Sequence, residues 1–194
     1  MYPKGLDMFR LTIAALIISV LGACSSVTVE DYRSYKPTIQ PETFFSGYLT
    51  AHGVIKNRSG LVIRTFNADI DASWQEGIGT LVEDFTFNDG ELQQRIWTLK
   101  PSSDGSYTGT AGDVVGPGKM TLAGNSLFLD YILRIPYGES TVDVRVDDRM
   151  YLVAPDVLIN ESVMKKFGVK VGSIDLVIVR HDRDRPSPQT RDKQ

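Results

Sequence analysis

Three stretches of the sequence place a charged residue two positions before an aromatic one. They read Arg64-x-Phe66, Glu83-x-Phe85 and Arg95-x-Trp97. Each stretch has the alternating polarity of a β-strand with one buried face, so the charge and the ring share that face. Same-face residues of paired strands lie about 5 Å apart. We therefore predict an ion network of Arg64, Glu83 and Arg95 on the inner face of a sheet.

Two interpretations of this network are open. A buried ion without a partner costs several kcal/mol, so the three charges should be paired in either case. In the first interpretation they only fix the register of the strands. In the second they form the polar floor of an apolar pocket that holds an acidic head group, and the ligand contacts four rings, those of Phe66, Phe85, Trp97 and Tyr131.

A second group of candidate residues is acidic. Asp113 follows a glycine, and Asp147 and Asp148 stand together at the end of a predicted strand. Neighbouring strand residues face opposite sides of a sheet, so Asp147 and Asp148 do not form a facing catalytic pair. Carboxylates beside glycine are typical of turns, where they accept backbone hydrogen bonds. We assign no catalytic residue, and a carboxylate-dependent hydrolase that uses Asp113 with Asp147 or Asp148 is the enzymatic alternative.

Cysteine and histidine are too scarce for several other chemistries. The chain has one cysteine, Cys24, and two histidines, His52 and His181. Zinc sites built from several histidines or cysteines need more ligands than these. No G-x-S-x-G motif accompanies the histidines, which argues against a serine hydrolase. We expect no metal and no cofactor, and we favour a protein that is not an enzyme.

Residues 1–23 have the organisation of a bacterial lipoprotein signal peptide. Two basic residues precede an uncharged run at residues 11–21, which is shorter than the roughly 20 apolar residues that a spanning helix needs. The sequence Leu21-Gly22-Ala23-Cys24 resembles a lipobox, in which the cysteine becomes the first residue of the mature chain. We therefore predict that Cys24 is the lipidation site.

Acylation of Cys24 would make a membrane the first partner of this protein, because two or three acyl chains anchor a chain firmly. Ser25 would be the second mature residue, and by resemblance to Gram-negative sorting it favours the outer membrane, facing the periplasm. The net charge of −3 argues against nucleic acid, which needs a basic patch. We expect a lipid-anchored monomer of the cell envelope.

The elements that must position these residues are short strands separated by turns. We interpret residues 24–43 as a flexible tether, residues 44–181 as one domain and residues 182–194 as a disordered tail. Asn160 and Gly168 mark the start and end of a short helix near residues 160–167. The predicted strands cover residues 47–56, 61–72, 79–88, 91–99, 106–111, 118–123, 127–136, 141–146, 149–153 and 169–180.

Many short strands with short connections predict an all-β, antiparallel meander. Such a sheet must protect its edges, and closure into a barrel removes them. We therefore predict an up-and-down, lipocalin/calycin-like barrel or a strongly curled sheet of about ten strands. A two-sheet sandwich is the alternative fold.

A set of short motifs is similar to a family of proteobacterial lipoproteins known only as domain of unknown function 3833. The similarity runs from about Phe45 to Arg180, and it implies lipidation and a single domain but no activity. The predicted barrel is also similar in general plan to lipocalin-type lipoproteins. The motifs are Gly79-Thr80-Leu81-x-Glu83-x-Phe85, Asp89-Gly90, Arg95-x-Trp97, Tyr107-x-Gly109-x-Ala111-x-Asp113-Val114-Val115-Gly116, Gly124-Asn125, Asp147-Asp148-x-Met150-Tyr151 and Met164-Lys165-Lys166-Phe167-Gly168-Val169.

Three functions are compatible with these observations. The first, which we favour, is a lipid-anchored barrel that binds a lipid or another amphiphile. The second is a structural or assembly partner in the envelope, and the third is the carboxylate-dependent hydrolase. An interior cavity of about 300 Å³ or more would favour binding, whereas a solid core would favour the structural partner.

Overall fold

Ten antiparallel strands, paired in chain order, form a closed barrel in this computed structural model, which describes residues 26–182. β1 also pairs with β10, so no strand of the barrel is left as a free edge. The predicted all-β, up-and-down barrel of about ten strands is confirmed. The strands are β1 (Gly47–Asn57), β2 (Val62–Gln75), β3 (Ile78–Phe87), β4 (Leu92–Pro101), β5 (Tyr107–Thr110), β6 (Gly118–Ala123), β7 (Ser126–Tyr137), β8 (Ser140–Ala154), β9 (Val157–Lys166) and β10 (Val169–Arg180).

Alternation of side chains along the strands explains why the chain closes in this way. In β2, Phe66, Ala68, Ile70 and Ala72 are buried, while the residues between them are more exposed. A strand with one apolar face is stable only when that face meets other apolar faces, and closure brings all ten inner faces together. The β3–β4 hairpin turns at Gly90, whose φ of 86° is unstrained only for glycine.

The barrel has two unlike ends. At the closed end a short helix, α1 (Pro41–Phe44), lies against the barrel, and both Phe44 and Phe45 are buried. The indole Nε1 of Trp74 donates a hydrogen bond of 2.7 Å to the carbonyl of Phe45. The open end consists of the turns that join β1 to β2, β3 to β4, β7 to β8 and β9 to β10.

The flexible tether predicted for residues 24–43 is wrong for the part that the structure describes. A 3-10 helix (Val29–Tyr32) contacts β6 and β7, and both Val29 and Ile39 are buried. The backbone N–H of Ile39 donates to the carbonyl of Gly124 at 2.9 Å. The segment has too few apolar residues to show a period, but Val29 and Ile39 are buried against the barrel.

The helix predicted near residues 160–167 is also wrong, because these residues form most of β9 and the turn that follows it. Leu158, Asn160 and Ser162 are buried at alternate positions, which is the period of a strand. Phe167 and Gly168 form the two-residue turn to β10, with φ of 50° and 79°. The two strands predicted at 141–146 and 149–153 are the single strand β8.

Several predictions concern residues outside the described range. The signal peptide at residues 1–23, the lipidation site Cys24 and the sorting residue Ser25 lie there, as does the tail from residue 183 onward. Within residues 26–182, no helix is long and apolar enough to cross a bilayer.

Candidate functional site

The barrel encloses a cavity of about 1040 Å³. It extends from Phe45 at the closed end to Tyr137 and Lys166 beside the turns of the open end. Pockets for small ligands have volumes of about 300 to 1,000 Å³, so this one is large enough for a lipid chain with its head group. The volume far exceeds the threshold that distinguishes a binding barrel from a solid structural domain.

Interior side chains are less tightly packed in the half of the barrel next to the open end than in the half next to the closed end. In the half next to the closed end the interior is packed, and Leu49, Leu127 and Leu158 have no exposed surface at all. In the open half, Ile55 and Leu176 line the cavity and keep part of their surface accessible. We call these two regions the closed half and the open half.

All four predicted aromatic wall residues line the cavity, namely Phe66, Phe85, Trp97 and Tyr131. The rings of Trp97 and Tyr131 meet edge to face with centroids 5.4 Å apart, and those of Phe66 and Phe85 meet at 5.5 Å. Edge-to-face pairs at this spacing are favourable and hold the rings in place. The inner-face periodicity of the sequence therefore identified these positions correctly.

Arg95 on β4 is held by Asp113, which lies in the loop between β5 and β6. Its Nε donates to Asp113 Oδ2 at 3.0 Å and its Nη2 donates to the same oxygen at 2.7 Å. The predicted partner, Glu83, is opposite Arg95 in the β3–β4 register but forms no ion pair with it within 4.0 Å. The charge of Arg95 is thus already neutralised by a residue far away in the sequence.

Arg64 does not belong to this network, and the predicted three-residue chain of ions is wrong. Glu83 is opposite Ile70, six residues from Arg64 along β2, which is a separation of about 20 Å. Arg64 lies instead at the open end, where it forms ion pairs of 2.8 Å with Asp89 and 2.6 Å with Glu91. The sequence pattern predicted the face of Arg64 correctly, but the strand register determines its height.

Glu83 faces the cavity from β3. Enclosure in the barrel raises the pKa of Glu83 to about 7; the charge of Arg95 lowers it, and the charges of Asp148 and Asp113 raise it further. A hydrogen bond with Trp97 also lowers the pKa of Glu83, and it has the smallest effect of these causes. Glu83 is therefore a cavity-facing carboxyl group with little stabilisation from the protein.

Asp148 reaches the same region from β8 and is only 6% exposed. It accepts hydrogen bonds from Asn160 Nδ2 and, at 2.7 Å, from Ser162 Oγ. Burial raises the pKa of Asp148 to about 6, although these hydrogen bonds and the charge of Arg95 lower it. Asp147 is not part of the cavity lining and pairs with Arg149 and Lys165, so the two aspartates face opposite sides as predicted.

Tyr131 lines the cavity from β7 and is 8% exposed. Within residues 26–182 its hydroxyl group has no hydrogen-bond partner. Burial, together with the nearby charge of Asp148, raises the pKa of Tyr131, so the hydroxyl group stays protonated. We call Glu83, Arg95, Tyr131 and Asp148 the cavity floor; they are polar residues that line the middle of the cavity, between apolar lining residues on the closed-end side and on the open-end side.

A family model described as "Protein of unknown function (DUF3833)" matches residues 18–180. The chain belongs to the DUF3833 family. The match covers the described barrel as far as Arg180, so the barrel and its cavity are the body of the family domain. No curated protein matches the chain.

A solved structure supports the same fold. The S-type Phycobiliprotein Lyase CPES from Guillardia theta is similar over 76% of this chain and 95% of its own, with a TM-score of 0.55 and 14% sequence identity. Odorant Binding Protein OBP1 is similar over 79% of this chain and 80% of its own, with a TM-score of 0.33 and 13% identity. At such low identity the lyase supports the calycin-like fold of the DUF3833 chain and nothing more specific.

Asn160 and Ser162 are the site residues that sequence reasoning missed. Both donate a hydrogen bond to Asp148. The sequence pattern predicts a helix for both, and a helix gives no reason to expect them beside Asp148. The alternation of Leu158, Asn160, Ser162 and Met164 was the available signal. These four residues share one face of a strand, so two polar side chains lie between apolar ones on the face that lines the cavity.

Asp113 and Asp148 of the DUF3833 barrel do not form a free catalytic pair. Asp113 is engaged by Arg95, and Asp148 is engaged by Asn160 and Ser162. In the described part of the chain, no group of three or more His, Cys, Asp or Glu side chains is placed to hold a metal ion. Asp113 and Asp148 are therefore not the two free carboxylates that the hydrolase alternative requires.

The open end carries a ring of exposed apolar side chains. Phe167 at the tip of the β9–β10 turn is 92% exposed, and Tyr137 beside the cavity mouth is 76% exposed. Leu92, the first residue of β4, and Leu61, in the β1–β2 turn, are 75% and 65% exposed. A cluster of exposed apolar side chains indicates a surface that contacts a protein, a membrane or a ligand.

Proposed function

We propose that this protein binds one molecule of a lipid or another amphiphile inside its barrel, with the chain anchored to the bacterial envelope through acylated Cys24. The observation that carries the binding function is the apolar cavity of about 1040 Å³ with a polar floor and one open end. A twelve-carbon chain buried in it would contribute about 9 kcal/mol before the costs of association.

The position of the exposed apolar ring supports uptake from a membrane surface. Tyr137 belongs both to this ring and to the cavity lining, so the ring continues into the cavity wall. An anchored barrel whose mouth touches the bilayer could receive a lipid chain without moving it through water. The outer membrane, facing the periplasm, is the location that we propose for this step.

Native mass spectrometry of the full chain, purified from membranes in mild detergent, tests the binding function. Leu176→Trp on β10 would place an indole in the cavity, whereas Val177→Trp on the same strand adds the same group on the outer face. We expect co-purified lipid on the wild type and on Val177→Trp, and much less on Leu176→Trp. Equal lipid on all three proteins, or none on the wild type, contradicts cavity binding.

Metabolic labelling with radioactive palmitate tests the anchor separately. Because Cys24 is the only cysteine, label in the wild type and its loss in Cys24→Ser would assign the acyl chains to this residue. An unlabelled wild-type protein in the water-soluble fraction would contradict the lipid anchor and leave the cavity proposal unaffected.

A further inference from the structure

The cavity floor contains no free positive charge. Arg95 is its one cation, and two hydrogen bonds of 3.0 Å and 2.7 Å to Asp113 Oδ2 already neutralise it. An acidic head group that reached the floor would have to displace Asp113 from this pair. Truncating or replacing one partner of such a pair leaves an unpaired charge, which is costly in an enclosed site.

The charges that remain on the floor are negative. Glu83 faces the cavity and forms no ion pair with another described residue. Asp148 lies close enough that its charge raises the pKa of Glu83. Three carboxyl groups thus surround one guanidinium group, counting Asp113. A group of positive charge at this height would reduce the repulsion among the carboxylates, and a carboxylate would increase it.

Tyr131 provides a second and independent indication of a ligand. Its side chain is 8% exposed and lines the cavity, and among residues 26–182 its hydroxyl oxygen has no hydrogen-bond partner. This oxygen is accessible from the cavity, so it is free to form a hydrogen bond with a group supplied from outside the protein. The oxygen can accept a hydrogen bond from an ammonium group.

The cations nearer the mouth are occupied by other groups. Lys56 forms an ion pair with Asp175, and Arg64 pairs with Asp89. Lys166 donates a hydrogen bond of 2.7 Å to the carbonyl of Asp143. These residues also line the cavity, so an amphiphile could in principle bind with an acidic head at the mouth, and any test must separate that orientation from one with the head at the floor.

We propose that the cavity floor binds the ammonium group of a long-chain amine, with Glu83 as its counter-ion and the Tyr131 hydroxyl oxygen as an acceptor, while the alkyl chain lies along the open half. This inference rests on the proposed binding function and specifies its ligand class. It replaces the acidic head group considered in the sequence analysis, because Asp113 neutralises Arg95 in the structure. The ring of Trp97 beside Glu83 would add a cation–π contact.

Calorimetric titration of the full chain with dodecylamine, dodecanol and dodecanoate tests the proposal at pH 7.5, with each probe kept below its critical micelle concentration or, for dodecanol, below its solubility limit. The three probes share one chain length and differ in head-group charge. We expect dodecylamine to bind about tenfold or more tightly than dodecanoate, since a charge-assisted hydrogen bond supplies at least that factor. Equal affinities for the three probes, or tighter binding of dodecanoate, would overturn the head-group assignment alone. Failure of all three to bind would overturn the cavity function as well.

Variants of the floor identify the residues involved. Glu83→Gln should weaken dodecylamine about tenfold and leave dodecanol unchanged, and Tyr131→Phe should weaken dodecylamine less. Asp84→Asn, the next residue along β3, pairs with Gln94 away from the cavity and serves as the matched control. If Glu83→Gln folds, as judged by its circular dichroism, and binds dodecylamine like the wild type, Glu83 is not the counter-ion.

Discussion

The closed half and the open half of the barrel consist of the same ten strands but differ in how their side chains fill the interior. In the closed half, leucines such as Leu127 and Leu158 are fully buried, and α1 lies against this end with Phe44 and Phe45 buried. In the open half, Ile55 and Leu176 face free space and apolar side chains extend into solvent at the turns. The difference shows how one strand pattern can provide stability at one end and a site at the other.

The largest expected effect is a difference in the free energy of unfolding between two leucine-to-alanine variants, one in each half. Leu158→Ala leaves a void in a packed region and should lower the free energy of unfolding by about 2 to 5 kcal/mol. Leu176→Ala enlarges a cavity that already exists, so we expect a loss of about 1 kcal/mol. Urea unfolding of both variants measures the difference. Similar losses would show that the open half is packed in solution.

Residues 28–39, which we call the cap, contact the barrel, and this contact can be tested at Gly124. A Cβ atom there would lie 1.8 Å from the carbonyl oxygen of Tyr32, and φ is 56°. We expect Gly124→Ala to cost about 2 to 3 kcal/mol, as both overpacking and backbone strain act. Gly138→Ala has nearly the same φ, 59°, but no neighbouring atoms, so about 1 kcal/mol of strain is its expected cost. Thermal unfolding with equal shifts for both variants would argue against the docked cap.

The floor predicts a stability that depends on pH. Because the pKa of Glu83 is raised to about 7, the folded protein binds more protons at this group than the unfolded chain between pH 4.5 and 7. The free energy of unfolding should therefore fall as the pH rises through this window, by about 1 to 3 kcal/mol after allowance for water in the cavity. The raised pKa of Asp148, about 6, adds a loss in the lower part of the window.

Urea unfolding at pH 5 and pH 8 measures this effect, and Glu83→Gln should flatten the dependence by removing its largest source. The groups that act on Glu83 are Arg95 and Trp97 on β4, Asp113 in the β5–β6 loop and Asp148 on β8. The affinity for dodecylamine should instead rise with pH through the same window, because dodecylamine binds better when Glu83 is ionised. A variant with the pH profile of the wild type would place Glu83 in contact with bulk water.

The smallest expected effect concerns Phe167 at the open end. Its φ of 50° is unusual for a bulky residue, and it is 92% exposed. Asn followed by Gly is the preferred pair for such a two-residue turn, so Phe167→Asn should raise stability by about 0.5 to 1 kcal/mol. We expect the same variant to take up lipid from vesicles more slowly. Unchanged uptake together with higher stability would mean that Phe167 has no part in membrane contact.

Local chemistry made much of this molecule predictable. The period-two pattern placed Phe66, Phe85 and Trp97 on the inner face, where the structure has them. Such patterns work because a strand side chain has only two directions, and one of them must be apolar. The pattern misled at Asn160, since a polar residue within an apolar run also resembles a helix cap.

Contacts between distant parts of the chain could not be predicted in this way. Asp113 reaches Arg95 because the short strand β5 ends early and its loop turns toward the barrel wall. Arg64 misses Glu83 because a register of antiparallel strands sets height as well as face. Neither the register nor the path of a loop is expressed in the local order of polar and apolar residues.

The sequence by itself determined an antiparallel sheet of about ten strands, the side chains that its inner face presents and, as a prediction, acylation of Cys24. Only the tertiary structure decided which charges meet at the cavity floor, and with that the sign of charge that a ligand should carry there. The physical reason is range: face and turn depend on neighbouring residues, whereas the pairing of charges depends on closure of the whole barrel.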